Sequence, residues 1–210
     1  MKRTLTTSLS LALLLSISTL CATVSQAQQG ATLSTSQPTG KVAEIESYVK
    51  ELDQYIKANE KSARIFADVS SATEQGADDW REFRTEQERE KAGTGDNLAQ
   101  NAFLWMRDGK IAGASFTLQS PSGDWVHYVM YYYRSDGTLA KSDSTLNTFR
   151  GDITVVRQDY YNSKGILLKG TTHCKDLKTQ KSRPCGQYEE QPVPSYKNVR
   201  ELPFYGLLKK

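Results

Sequence analysis

Gly109, Gly137 and Gly165 stand 28 residues apart, and each keeps the same neighbours. The segments are Trp105-Met-Arg-Asp-Gly-Lys-Ile111, Tyr133-Arg-Ser-Asp-Gly-Thr-Leu139 and Tyr161-Asn-Ser-Lys-Gly-Ile-Leu167. An aromatic residue lies four positions before each glycine, and an aliphatic residue two positions after it. An internal period restricts architecture more than any single motif does. Its physical unit is a β-hairpin: glycine takes the positive φ of a tight turn, and apolar strands flank it. The period therefore predicts a repeated antiparallel scaffold.

A two-residue turn ending in each glycine sets a register. Trp105 then faces Ala112, Tyr133 faces Ala140, and Tyr161 faces Leu168, an aromatic against a smaller partner each time. Met106, Arg134 and Asn162 oppose Ile111, Leu139 and Leu167 on the other side. Ser120-Pro-Ser-Gly-Asp124 is turn chemistry joining the first two hairpins, and Asn147 to Asp152 joins the second to the third. Three hairpins over 98–174 give about six strands.

Upstream, Val42, Ile45, Val49, Leu52 and Ile56 recur at spacings of three and four, with Tyr48 and Tyr55 flanking the stripe. The pattern predicts a helix over 41–66. Its stripe is too short for a sustained coiled coil, so it packs on the sheet. Residues 67–79 read as a connection, and Trp80 with Phe83 as a short apolar element. The stretch 84–96 reads as an exposed helical turn or a loop. After Cys185 the prolines at 192, 194 and 203 predict an extended tail that returns Phe204, Tyr205 and Leu207 to the body. The predicted class is α+β: an N-terminal amphipathic helix packed on a mostly antiparallel meander of about six strands built from three 28-residue repeats. One domain is expected over 41–210, with a disulfide loop and tail over 175–210.

The N-terminus has the form of a secretory signal over residues 1–27. Lys2 and Arg3 precede an apolar run around Leu11 to Leu15, and Ser25-Gln26-Ala27 has the small-x-small form of a cleavage site. The run is too short to span a bilayer. An anchored-lipoprotein reading through Cys21 meets Leu20 where a small residue is usual. Residues 28–40, rich in Gln, Ser, Thr and Gly, read as a flexible leader.

The whole chain has 27 basic and 24 acidic residues; the signal holds two basic and no acidic ones, which leaves the mature chain at +1. That balance does not imply nucleic acid as a partner. Cys174 and Cys185 are the cysteines left after processing, and in an oxidising compartment they are expected to pair. The rival reading, a metal site of His173, Cys174 and Cys185, lacks a second ligand pair.

Tyr132-Tyr-Arg-Ser-Asp-Gly-Thr-Leu139 and Tyr160-Tyr-Asn-Ser-Lys-Gly-Ile-Leu167 resemble the tyrosine-and-glycine hairpin repeats of bacterial exported and surface proteins. The resemblance covers the repeat alone and carries no catalytic residue.

The densest aromatic run is Trp125-Val-His-Tyr-Val-Met-Tyr-Tyr-Tyr133. Strand alternation sends Trp125, His127, Val129, Tyr131 and Tyr133 to one face and Val126, Tyr128, Met130 and Tyr132 to the other. Neither face is polar, so both need cover. The helix supplies one side, and sheet curvature, the tail, a partner or a ligand supplies the second. The candidate binding residues are thus Trp125, His127, Tyr131, Tyr133 and Tyr161, with Arg157 beside Asp159 as polar groups at the mouth of a pocket. The alternative is an ordinary tyrosine-rich sheet.

His127 lies near Ser120, Ser122 and Asp124, but no nucleophile-elbow pattern accompanies them. Asp78–Asp79 and Glu189–Glu190 show nothing that would separate their pKa values. There is no phosphate-cradling glycine loop, dinucleotide fingerprint or zinc-hydrolase helix, and no cofactor is implied. The leading expectation is a non-enzymatic exported envelope protein that binds a small apolar or aromatic ligand, or another envelope protein. The alternatives are a secreted inhibitor acting through Ser120–Asp124 or the Cys174–Cys185 loop, and a hydrolase using His127.

Overall fold

A computed structural model describes residues 37–70, 78–92, 100–189 and 193–209. The signal over 1–27 and most of the leader lie outside the described residues, as does Glu190. Helix α1 spans Gln37–Ala58 and opens within the stretch read as a leader. Its stripe is the buried one: Val42, Ile45, Val49, Leu52 and Ile56 are each no more than 8% exposed. Tyr48 and Tyr55 flank it and donate to the main-chain oxygens of Tyr133 (2.7 Å) and Met106 (2.6 Å). These two bonds pin the helix to the turn ends of two hairpins.

The sheet has nine strands rather than six, so the chain is mostly β, with two α-helices among the described residues. The strands are β1 (Arg64–Asp68), β2 (Trp80–Phe83), β3 (Gln100–Arg107), β4 (Lys110–Gln119), β5 (Trp125–Tyr133), β6 (Leu139–Thr148), β7 (Ile153–Tyr161), β8 (Leu167–Asp176) and β9 (Ser182–Arg183). The second helix, α2, is Glu86–Ala92, inside the stretch left open between a helical turn and a loop. All neighbours are antiparallel, in the order β2-β1-β3-β4-β5-β6-β7-β8-β9. The three repeated hairpins supply β3 to β8. The additional strands arise where the local signal is ambiguous. Helix α1 stops at Ala58 instead of residue 66, because Asn59 folds its side-chain amide back onto the Tyr55 carbonyl (2.8 Å). A 3-10 turn follows, and Ile65-Phe66-Ala67 then enters the sheet with Phe66 and Ala67 fully buried. A short apolar run of this kind carries no period that separates strand from helix.

The hairpin register also departs from a uniform two-residue turn. The first hairpin has such a turn, Asp108-Gly109, with both residues at positive φ and Arg107 opposite Lys110. The second and third use longer connections, in which Arg134 donates to the Thr138 carbonyl and Asn162 to that of Ile166. Tyr133 consequently faces Leu139 and Tyr161 faces Leu167, while Trp105 faces Gly113. Ala112, Ala140 and Leu168 are left without a partner as β-bulges, and they keep the 28-residue period. All three pack on the α1 side with Trp105, Tyr132 and Tyr160. Two of the three bulge residues are alanines, and Gly113 leaves no room for a side chain: a Cβ there would sit 2.9 Å from Ile56 of the helix. Small residues at the bulges let α1 lie close against the sheet.

The opposite face is covered by the chain's own C-terminal tail. Leu139 donates to the Lys197 carbonyl and Val199 to that of Gly137, which seats the tail on the second hairpin turn. Beyond it Phe204 stacks on Phe66 at 4.1 Å. No helix among the described residues is long and apolar enough to cross a membrane.

Candidate functional site

Alternation along β5 places Trp125, His127, Val129, Tyr131 and Tyr133 on the tail-covered face, but the face is divided. At the turn end, Tyr131 and Tyr133 have no exposure. The Tyr131 hydroxyl donates to the Pro194 carbonyl, and that of Tyr133 to the Tyr196 carbonyl at 3.2 Å. Phe116 and Tyr196 close around Tyr131 at ring separations of 5.6 and 5.5 Å. Tyr161, also buried, lies beneath the Lys197 ammonium, 3.5 Å from its ring centre. The tail occupies this half of the face.

Arg157 is close by but is spent internally. Its Nε donates to both carboxylate oxygens of the buried Asp159, at 3.1 and 2.9 Å, and the Tyr161 hydroxyl reaches the same carboxylate at 3.4 Å. The arrangement is a satisfied polar cluster under the tail, which is how a buried carboxylate is tolerated.

At the far end of the face the described residues enclose a cavity of about 440 Å³. Its floor is a row across three strands: Leu118 of β4, His127 of β5 and Leu146 of β6, which are register partners. Trp125 and Thr148, paired one row further out, form one wall. The linker Ser120–Asp124 and the turn carrying Arg150 form the rim, held together by the Phe149 N–H donating to the Asp124 carbonyl at 3.0 Å. Pro194 and Tyr188 close the top.

Tyr188 is positioned by the disulfide. Cys174 of β8 is joined to Cys185, with a Cα–Cα distance of 5.1 Å, and a 3-10 turn starting at Gly186 carries Tyr188 over the cavity. The Tyr188 hydroxyl donates to the Arg150 carbonyl. A bridge closing so short a loop contributes about 3 kcal/mol on a chain-entropy account. The pairing uses both thiols, and strand alternation turns the exposed His173 away from the buried Cys174, so the three do not converge as metal ligands.

The electrostatics of the cavity are uneven. His127 is 6% exposed and turns its imidazole into the cavity lining. Burial lowers its pKa from the ordinary histidine value, so the imidazole is neutral at neutral pH. The Ser122 hydroxyl donates to the Asp124 carboxylate at 2.7 Å, and the Ser120 oxygen accepts from the Trp125 N–H at 3.3 Å. Neither serine is bonded to His127, so the three residue types do not form a nucleophile–base–acid relay. Asp124 and Arg150 carry opposite charges on adjoining rims, and neither is in an ion pair among the described residues. The carboxylate pair before Trp80 is not poised for proton transfer: Asp79 bridges to Arg81 at 2.5 Å, and Asp78 is exposed.

Trp125 and His127 are thus the two sequence-derived candidates that line the cavity, while Tyr131, Tyr133, Arg157 and Tyr161 belong to the covered half. Leu118, Leu146, Thr148, Arg150, Tyr188 and Pro194 had no local signal. Only the register of β4 and β6 on β5, and the disulfide, bring them to His127. Compared with known protein families, curated proteins and solved structures, the chain matches none.

Proposed function

We propose that this chain is a non-enzymatic exported binding protein of a bacterial envelope, and that it takes a small, flat aromatic ligand in the cavity above His127. The observation that carries the reading is a cavity that brings Trp125, Tyr188 and the largely buried His127 imidazole together at one end of the tail-covered face. A concave site with aromatic groups and a few convergent polar ones is the usual form of a small-ligand site. The cavity volume of about 440 Å³ falls in the range of small-molecule sites, and its lining mixes apolar with polar and charged groups. The disulfide accords with an oxidising compartment, and the secretory form of residues 1–27 with export. Binding is preferred to hydrolysis because Ser122 is engaged by Asp124 and His127 has no hydroxyl to activate.

Native mass spectrometry of the protein purified from its host tests this. The expected spectrum carries a small-molecule adduct that disappears on denaturation. Leu118→Trp, which fills the cavity from a half-buried position, is expected to abolish the adduct while the melting temperature changes little. An adduct retained by that variant, or a bare protein at monomer mass, contradicts the reading.

A further inference from the structure

Resting on the reading of the cavity as a ligand site, we propose that its ligand class is the zwitterionic aromatic α-amino acid, or a molecule with the same charged head and flat body. Three features of the cavity each call for a different part of such a ligand. The Arg150 guanidinium at the rim has no carboxylate partner among the described residues, and guanidinium matches carboxylate by two parallel N–H donors. Asp124 lies on the adjoining rim with spare acceptor capacity, since a carboxylate has about four lone-pair sites and Ser122 takes one. The two turns are tied by the Phe149–Asp124 main-chain bond, yet their opposite charges do not pair with each other. A simple anion would satisfy Arg150 and be repelled by Asp124. A simple cation would meet the reverse. A head bearing both an ammonium and a carboxylate satisfies both groups.

Trp125 in the wall and Tyr188 at the top are aromatic, and Leu118 and Leu146 give an apolar floor. A flat ring fits that space by area and by ring–ring contact. His127 sits in the floor between the two leucines. Its neutral imidazole offers one acceptor and one donor to a polar tip on the ring, such as an indole N–H or a phenol hydroxyl. The cavity thus offers a charge pair, aromatic groups and a single hydrogen-bonding group in its floor, which are the parts that tryptophan or tyrosine would engage.

Calorimetric titration of the mature protein with four probes tests the class and separates it from the underlying reading. The probes are L-tryptophan, N-acetyl-L-tryptophan, L-tryptophanamide and indole. The first carries both charges, the next two carry one each, and indole is the bare ring. L-Tryptophan is expected to bind about tenfold more tightly than either singly charged probe, the worth of one charged hydrogen-bonded contact. Arg150→Met is expected to bring L-tryptophan down to the affinity of L-tryptophanamide, and Asp124→Asn down to that of the N-acetyl form. Both side chains are exposed, so neither change disturbs the core. If indole binds as well as L-tryptophan, the ligand class is overturned while the cavity remains a binding site. If no probe binds, indole included, both the class and the underlying reading are overturned.

Discussion

Phe204→Ala is expected to lower the free energy of unfolding by about 3–5 kcal/mol, the cost of emptying a fully packed core position. The residue lies close to the end of the chain, where substitutions are ordinarily cheap. Here the tail is the second layer of the protein. Phe204 is 1% exposed, stacks on Phe66 at 4.1 Å, and meets Trp80 and Phe116 at 5.3 and 5.7 Å. It thus ties β1, β2 and β4 together from outside the sheet. Its loss also frees the segment whose carbonyls accept from Tyr131 and Tyr133. Urea denaturation of wild type and variant measures the effect. A difference below about 0.5 kcal/mol, the range of surface substitutions, would mean that the tail is not part of the core.

The second large effect is unfolding in alkali. Burial raises the pKa of Tyr131, Tyr132 and Tyr133 well above the ordinary phenol value, and burial together with the Glu46 carboxylate pushes Tyr160 up to about 12. In the unfolded chain these phenols ionise near pH 10. A group whose folded pKa is raised contributes stability that is complete below its unfolded pKa and is lost as pH rises through the folded value. The native state is therefore expected to hold up to about pH 10 and to lose stability steeply above it. Ultraviolet difference spectra followed together with circular dichroism check this. The buried tyrosines are expected to ionise together with loss of the sheet signal. Tyr133→Phe, which removes a titrating group but keeps the ring, is expected to move the transition to higher pH. Smooth ionisation of all eleven tyrosines near pH 10 with the sheet intact would contradict their burial.

The repeat and the helix stripe were legible because each is periodic over many residues. The turn glycines at 109, 137 and 165 all take positive φ, and all five stripe residues are buried. The bulges were not legible, because the period is the same whether Ala140 is paired or extruded, and only the turn length decides. A one-residue difference in that length moves Trp105 to the helix side while Tyr133 goes to the tail side. The three extra strands were missed for related reasons. β1 is a short apolar run after a helix, β2 was recognised only as apolar, and β9 has two residues paired through the disulfide loop. The aromatic strand indicated the face on which the cavity lies, but not that the cavity gathers at the Trp125–His127 end. Which half stays open depends on where the tail docks, and the docking is set by main-chain bonds of Gly137 and Leu139, which side-chain identity does not reveal.

The chain holds two histidines, one in the floor of the cavity and one exposed on β8, so each serves as the control for the other. Titrating the protein with indole while following the imidazole resonances by NMR tests the binding account most directly. The account predicts that the His127 signals shift saturably, that the free protein's His127 titrates below the ordinary histidine range, and that His173 does not respond to the probe. If His127 titrates like a free histidine and ignores the probe, or if both imidazoles move together without saturation, the cavity above His127 is not a binding site.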